Sequence, residues 1–164
     1  MPGGCGVSMQ VDLERYLNDA ATQGQAATAV AEGDGERVEI GLVEIDSIGC
    51  AFDRLIYRAT RLEQLDANQL QTIGSQLAER VNYLLEPLRT IEMDGPALTL
   101  QLRSERPQNC ENGKRYYEVL AQKGVIRLCR YEKIAGQARS CVPANVTREV
   151  LAQLVRDFSA VNRD

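Results

Sequence analysis

The stretch Lys114–Lys133, KRYYEVLAQKGVIRLCRYEK, constrains the fold more than any other part of the chain. Both arms are rich in Tyr, Val, Ile and Leu, which suit a pleated, half-buried surface, and Lys123-Gly124 stands between them. Gly124 supplies the backbone freedom that a tight turn needs. A two-residue turn there sets Ala121 against Ile126, Val119 against Leu128, Tyr117 against Arg130 and Arg115 against Glu132. That set is apolar near the turn and closes on an ion pair, the pattern of a core-facing side. The other set, Gln122–Val125, Leu120–Arg127, Glu118–Cys129 and Tyr116–Tyr131, is neither cleanly polar nor cleanly apolar. A three-residue turn with a bulge would shift both sets.

Leu98, Leu100 and Leu102 alternate with Thr99, Gln101 and Arg103, the cleanest period of two in the chain. Ile91 and Met93 precede them across an Asp94-Gly95 turn. With the hairpin, these segments predict an antiparallel four-stranded meander over about residues 88–133. Alternation at Val38, Ile40 and Leu42 predicts an additional strand near 36–45. Residues 66–86 predict an amphipathic helix, with Asp66 as cap, Gln69 in capping-box position and Pro87 as the stop. Its stripe is Leu70, Ile73, Leu77, Val81 and Leu84. A second amphipathic helix, 146–161, follows Asn145 or Thr147 as cap and turns Leu151, Leu154, Val155 and Phe158 to one side. Both stripes are expected on the Leu98/Leu100/Leu102 face. Strands in series with helices before and after them give an α+β fold rather than alternating α/β.

Residues 47–65 leave two readings open. Phe52, Leu55, Ile56, Ala59 and Leu62 have helical spacing, whereas Leu55, Tyr57 and Ala59 alternate as a strand does. Residues 1–35 read as a flexible N-terminal segment, disordered over 1–9, with a short helix at Val11–Ala21 and a Gly/Ala/Gln-rich linker after it. Residues 36–164 then form a single α+β domain, and truncation to Glu36 is expected to leave it intact. The competing expectation is that Leu13, Tyr16 and Leu17 dock on the outer face of the sheet.

Composition bounds the chemistry. With 164 residues, 44% apolar and 26% charged, the chain suits one globular domain, and two Phe, six Tyr and no Trp leave the core to aliphatic side chains. No apolar run approaches the roughly 18 residues of a membrane span, so a cytoplasmic location without a membrane partner is expected. The net charge is −4, but residues 1–95 carry 7 basic and 16 acidic side chains, and residues 96–164 carry 12 and 7. Five cysteines in no C-x-x-C pair fit a reducing compartment. Cys50 and Cys129 lie in apolar contexts, and Cys110 lies in a polar loop as the expected exposed thiol.

There is no histidine, which removes the commonest general base and metal ligand. Gly113-Lys114 lacks the glycine-rich lead of a phosphate loop, and Gly3-Gly4-x-Gly6 opens no strand-to-helix turn. No catalytic residues, no metal and no cofactor are therefore assigned. Lys114-Arg115-Tyr116-Tyr117 lacks the glycines of an RNA-recognition strand, and Glu118 interrupts it.

What remains is the outer sheet face, where Arg103, Tyr116, Arg127 and Tyr131 are the candidate binding residues, of types enriched at interface centres. The expectation is a non-catalytic protein-interaction or adaptor/chaperone-like module with a protein partner or self-association as a homodimer. Size, acidity and α+β make-up loosely resemble small secretion chaperones and adaptors, without a shared motif. The alternative is binding of an anionic ligand or RNA through Arg103, Lys114, Arg127 and Arg130, with affinity falling steeply in salt.

Overall fold

The computed structural model describes residues 8–24 and 27–163. The chain forms α1 (Met9–Gln23), β1 (Thr28–Gly33), β2 (Glu36–Ile45), β3 (Gly49–Ala59), a 3-10 turn (Thr60–Leu62), α2 (Ala67–Arg80), β4 (Leu88–Asp94), β5 (Thr99–Ser104), β6 (Gln108–Cys110), β7 (Gly113–Gln122), β8 (Val125–Ile134), β9 (Ser140–Val142), β10 (Ala144–Thr147) and α3 (Arg148–Ala160). The strands make one antiparallel ten-stranded sheet in the order β1-β2-β3-β8-β7-β5-β4, with β6, β9 and β10 attached to β7, β8 and β3. This is the α+β class read from the sequence, and the 88–133 meander is the β4-β5-β7-β8 part of it. The hairpin has the two-residue register expected: Ala121 opposes Ile126 and Tyr116 opposes Tyr131, with Gly124 at φ 77°.

Alternation along the strands sends Val38, Ile40, Leu55, Tyr57, Leu100, Leu102, Val119, Ala121, Ile126 and Leu128 to one face, and all are buried. The three helices cover that face, and Leu13 and Leu17 of α1, Leu70, Ile73 and Leu77 of α2, and Leu151, Leu154 and Phe158 of α3 complete one core. Burying a side chain of this size stabilises by about 1.5–3 kcal/mol, so this layer supplies most of the driving force. Arg61 binds the carbonyl oxygens of Phe158, Ser159 and Val161 at the C-terminus of α3, a favourable place for a cation. Glu36 accepts from Tyr57 and Ser159 and pairs with Arg163 at 2.6 Å, tying the same end to β2 and β3.

Several boundaries differ from the sequence reading. Residues 47–65 are not a helix: β3 runs through them. Ile56 faces away from Leu55 yet is only 7% exposed, so apolar residues on both faces of β3 produce the helix-like run. The 66–86 helix keeps its Asp66/Gln69 capping box but ends at Arg80. The Asn82 amide there donates to the Glu79 carbonyl, and the Tyr83 hydroxyl donates to Asp157 on α3 at 2.6 Å. These side-chain bonds take the chain off the helical path while Val81 and Leu84 stay in the core. The 146–161 helix starts at Arg148 behind its Thr147 cap, because residues 144–147 pair with β3 as β10. Leu98 is not in β5; it sits in the turn before it at φ 50°.

Residues 28–33, read as flexible linker, form β1. Asp34 and Gly35 take φ 52° and 76°, the double positive φ of a hairpin turn, and register β1 on β2. The helix α1 does not dock on the outer face; it lies with the other helices, Leu13 and Leu17 in the core. Its polar residues also reach the free edge of β1, where Thr28 and Glu32 direct their backbone groups away from β2. The Tyr16 hydroxyl donates to the Thr28 carbonyl at 3.1 Å, and Asp12 accepts from the Glu32 N–H at 3.2 Å. The disorder expected over residues 1–9 does not hold at Ser8, which caps α1, or at Met9, which opens it and lies in the core; residues 1–7 fall outside the described residues.

After Leu128, β8 separates from β3, and the chain 140–147 enters the gap. There β9 pairs with β8 at Arg130–Glu132, and β10 pairs with β3 at Gly49–Phe52. This lacing carries Arg139, the residue before β9, onto the outer face.

Candidate functional site

Among the described residues, no helix or further strand layer covers the face away from the helices. Residues 36–45 and 49–59 lie within the sheet itself as β2 and β3. On β7 the outward residues are Lys114, Tyr116, Glu118 and Leu120; opposite them on β8 stand Lys133, Tyr131, Cys129 and Arg127. β5 adds Arg103 opposite Glu118 and Gln101 opposite Leu120.

Glu118 is the centre of the arrangement and is 6% exposed. It accepts from Arg139 Nη1 at 2.6 Å and Nη2 at 3.3 Å, and from Arg103 Nη2 at 3.1 Å. Burial alone would push its carboxyl up, but hydrogen bonds from Arg139, Gln101 and Arg103 outweigh burial and hold it below the ordinary carboxylate range. The same bonds raise the Arg139 guanidinium further above its ordinary value. The guanidinium of Arg103 lies 4.8 Å over the Tyr116 ring, and that of Arg139 lies 3.9 Å over the Tyr131 ring. The two rings are 6.0 Å apart and tilted by 34°. Two arginines thus cover two tyrosines and share one carboxylate.

Of the four residues singled out by sequence, Arg103, Tyr116 and Tyr131 meet here. Arg127 shares the face and is exposed, but it lies four residues from Tyr131, about 13 Å along an extended strand. Arg130 is on the other side of the sheet: 6% exposed, it packs 4.5 Å over the Tyr117 ring and donates to Gln108 at 2.7 Å. It therefore leaves the set of outward cations. The residues missed were Glu118 as the hub and Arg139. Glu118 was visible as the carboxylate of the mixed hairpin face; Arg139 had no local signal, since only the pairing of β9 places it.

Beside this cluster a cavity of about 670 Å³ is lined by Gln101, Arg103, Pro107, Gly113, Lys114, Tyr116, Lys133, Ala135 and Arg139. A larger groove of about 1040 Å³ runs between α1 and α3, with Val11 and Ile48 exposed at it and Glu14, Glu149, Arg148 and Arg156 mixing both signs along its walls. The first concentrates one sign of charge, and the second does not.

Among the described residues no three His, Cys, Asp or Glu side chains are grouped to hold a metal. Cys50 and Cys129 are buried as expected, but among the described cysteines the exposed thiol is Cys141 rather than Cys110, which is half-buried beside Glu132. Cys141 donates to the Asp53 carbonyl, and burial together with neighbouring Cys129 pushes its thiol up to about 11, away from thiolate chemistry. No described helix is long and apolar enough to cross a membrane. No protein-family model, no curated protein and no solved structure matches the chain.

Proposed function

We propose that the protein is a non-catalytic interaction module that docks an acidic protein partner on its outer sheet face. One observation carries this reading. In a chain of net charge −4, the uncovered face presents Arg58, Arg89, Lys114, Arg127 and Lys133, all exposed and none in an ion pair among the described residues. Charges gathered on one face steer an oppositely charged partner and fix its orientation.

Nucleic acid fits the face less well. Single-stranded RNA is gripped by stacking bases on open aromatic rings, and Tyr116 is 7% exposed beneath its arginine. A homodimer through this face would set cation against cation, because a two-fold contact uses the same patch twice. A cytoplasmic location belongs to the same reading and accords with the free thiols of Cys50, Cys110, Cys129 and Cys141.

The test uses immobilised poly-glutamate. Retention at about 50 mM salt and release by about 0.3 M, where screening shortens to a few ångströms, are expected. Arg58→Glu with Arg127→Glu, both at exposed positions, should pass unretained. Wild-type protein that flows through at low salt overturns the proposal.

A further inference from the structure

The cavity beside the Glu118 cluster has features that side-chain packing does not account for. Lys114 and Lys133 stand directly opposite each other across β7 and β8. Opposed like charges on one face of a sheet destabilise it. The backbones approach closely beside this pair: a Cβ on Gly113 would lie 2.1 Å from the Lys133 carbonyl oxygen, so only glycine permits the approach of the two strands. Neither lysine has a carboxylate in ion-pair range among the described residues.

The two neighbouring arginines do not relieve the charge. Arg103 and Arg139 share the single carboxylate of Glu118, and Arg103 Nε is buried with no acceptor. All four cations line the one cavity of about 670 Å³, a volume within the range of small-ligand sites. Pro107, Ala135 and Tyr116 supply an apolar wall beside them.

We infer that this cavity is a phosphoryl-binding subsite in which Lys114 and Lys133 clamp the anion and the Pro107/Ala135 wall receives the carbon body that carries it. Lysines bind phosphate as point charges without fixed geometry. A phosphoryl group, with close to two negative charges at neutral pH, matches two opposed ammonium groups better than a carboxylate does. Glu118 already occupies the Arg139 fork, through Nη1 and Nη2, and takes Nη2 of Arg103. The inference rests on reading the outer face as the binding face, and it makes the docked partner one that bears a phosphorylated side chain.

The experiment is thermal unfolding in low-salt buffer with added sodium phosphate, N-acetyl-phosphoserine amide or glutarate. Phosphate at millimolar concentration should raise the wild-type midpoint by about 2–4 °C. Lys133→Gln should start at or above the wild-type midpoint, since it removes the opposed charge, and should lose the phosphate increment. Arg127→Gln, the same charge change elsewhere on the face, should keep it. Phosphoserine acting at lower concentration than phosphate supports a partner-borne group, and equal action supports the free ion as ligand. An equal increment in Lys133→Gln and wild type, no increment in wild type, or an equal response to glutarate overturns the assignment. Poly-glutamate retention with no phosphate response leaves the face reading standing and sinks the subsite; the reverse result does the opposite.

Discussion

The two faces of the sheet are shielded from water in different ways. The helix face is covered by whole elements: Leu, Ile, Val and Phe side chains of α1, α2 and α3 lie over Val38, Ile40, Leu55, Val119 and Leu128, and the stabilisation is spread over many contacts. Among the described residues the outer face is covered by side chains alone, with Arg103 and Arg139 lying over Tyr116 and Tyr131 and converging on Glu118. Three helices carry one cover, and a few long flexible chains with charged ends carry the other. A cover of the second kind leaves the face charged and its cations within reach of a partner. That contrast makes the outer face, and not the larger groove between α1 and α3, the candidate for recognition.

Unequal losses on the two faces would sharpen the contrast. Leu55→Ala in β3 removes a fully buried side chain under the helices and should cost about 3–5 kcal/mol in urea unfolding. A loss below about 1 kcal/mol there would mean that the helix layer does not hold the fold. Glu118→Gln leaves two guanidiniums sharing a neutral amide. It should cost about 2–3 kcal/mol, below the usual figure for a broken buried pair, because both arginines are partly exposed. No loss would reduce the cluster to surface decoration.

Acid should act on both faces through the same sign. Glu118 and Glu36 each have a depressed carboxyl: burial raises both, while hydrogen bonds from Arg139 and its neighbours, and from Ser159, Tyr57 and Arg163, lower them further. A depressed folded value adds stability at neutral pH that is lost as pH falls below the unfolded range near about 4.3. Glu118→Gln should therefore flatten the part of the acid unfolding profile that Glu118 contributes and leave Glu36's part in place. An unchanged acid profile would separate Glu118 from the stability of the outer face. The smallest effect expected is that of Arg127→Ala, which should stay within about 0.5 kcal/mol of wild type in urea while weakening retention on poly-glutamate. A large loss of stability would show that Arg127 supports the sheet.

How much of this could be read from the chain depended on how local the cause was. The β7-β8 register was legible because the alternation and the Lys123-Gly124 turn both lie within the one stretch. The capping box at Asp66 and Gln69 was legible for the same reason. β3 was not, since the neighbours that bury Ile56 and Leu55 come from distant strands. β1 was missed although Asp34-Gly35 is a strong turn signal; its inward residues, Ala29 and Ala31, are too small to mark a period of two. At the candidate site, Arg103, Tyr116 and Tyr131 followed from strand alternation. Arg139 did not, because a non-local pairing of three residues with β8 places it.

The hydrogen bonds from Tyr16 and Asp12 to the rim of β1 have a consequence for the life of the protein at high concentration. A bare rim of unpaired N–H and C=O groups is a seed on which another chain can add as the next strand, and growth of that kind sustains itself. By holding the Thr28 carbonyl and the Glu32 amide, the first helix works as a sheath that denies the seed its first bonds. A chain cut back to Glu36 would lose that sheath along with Leu13 and Leu17, and β2 would become the outermost strand. Its fate would then be decided by nucleated polymerisation, with a lag that shortens as protein concentration rises, more than by its melting point.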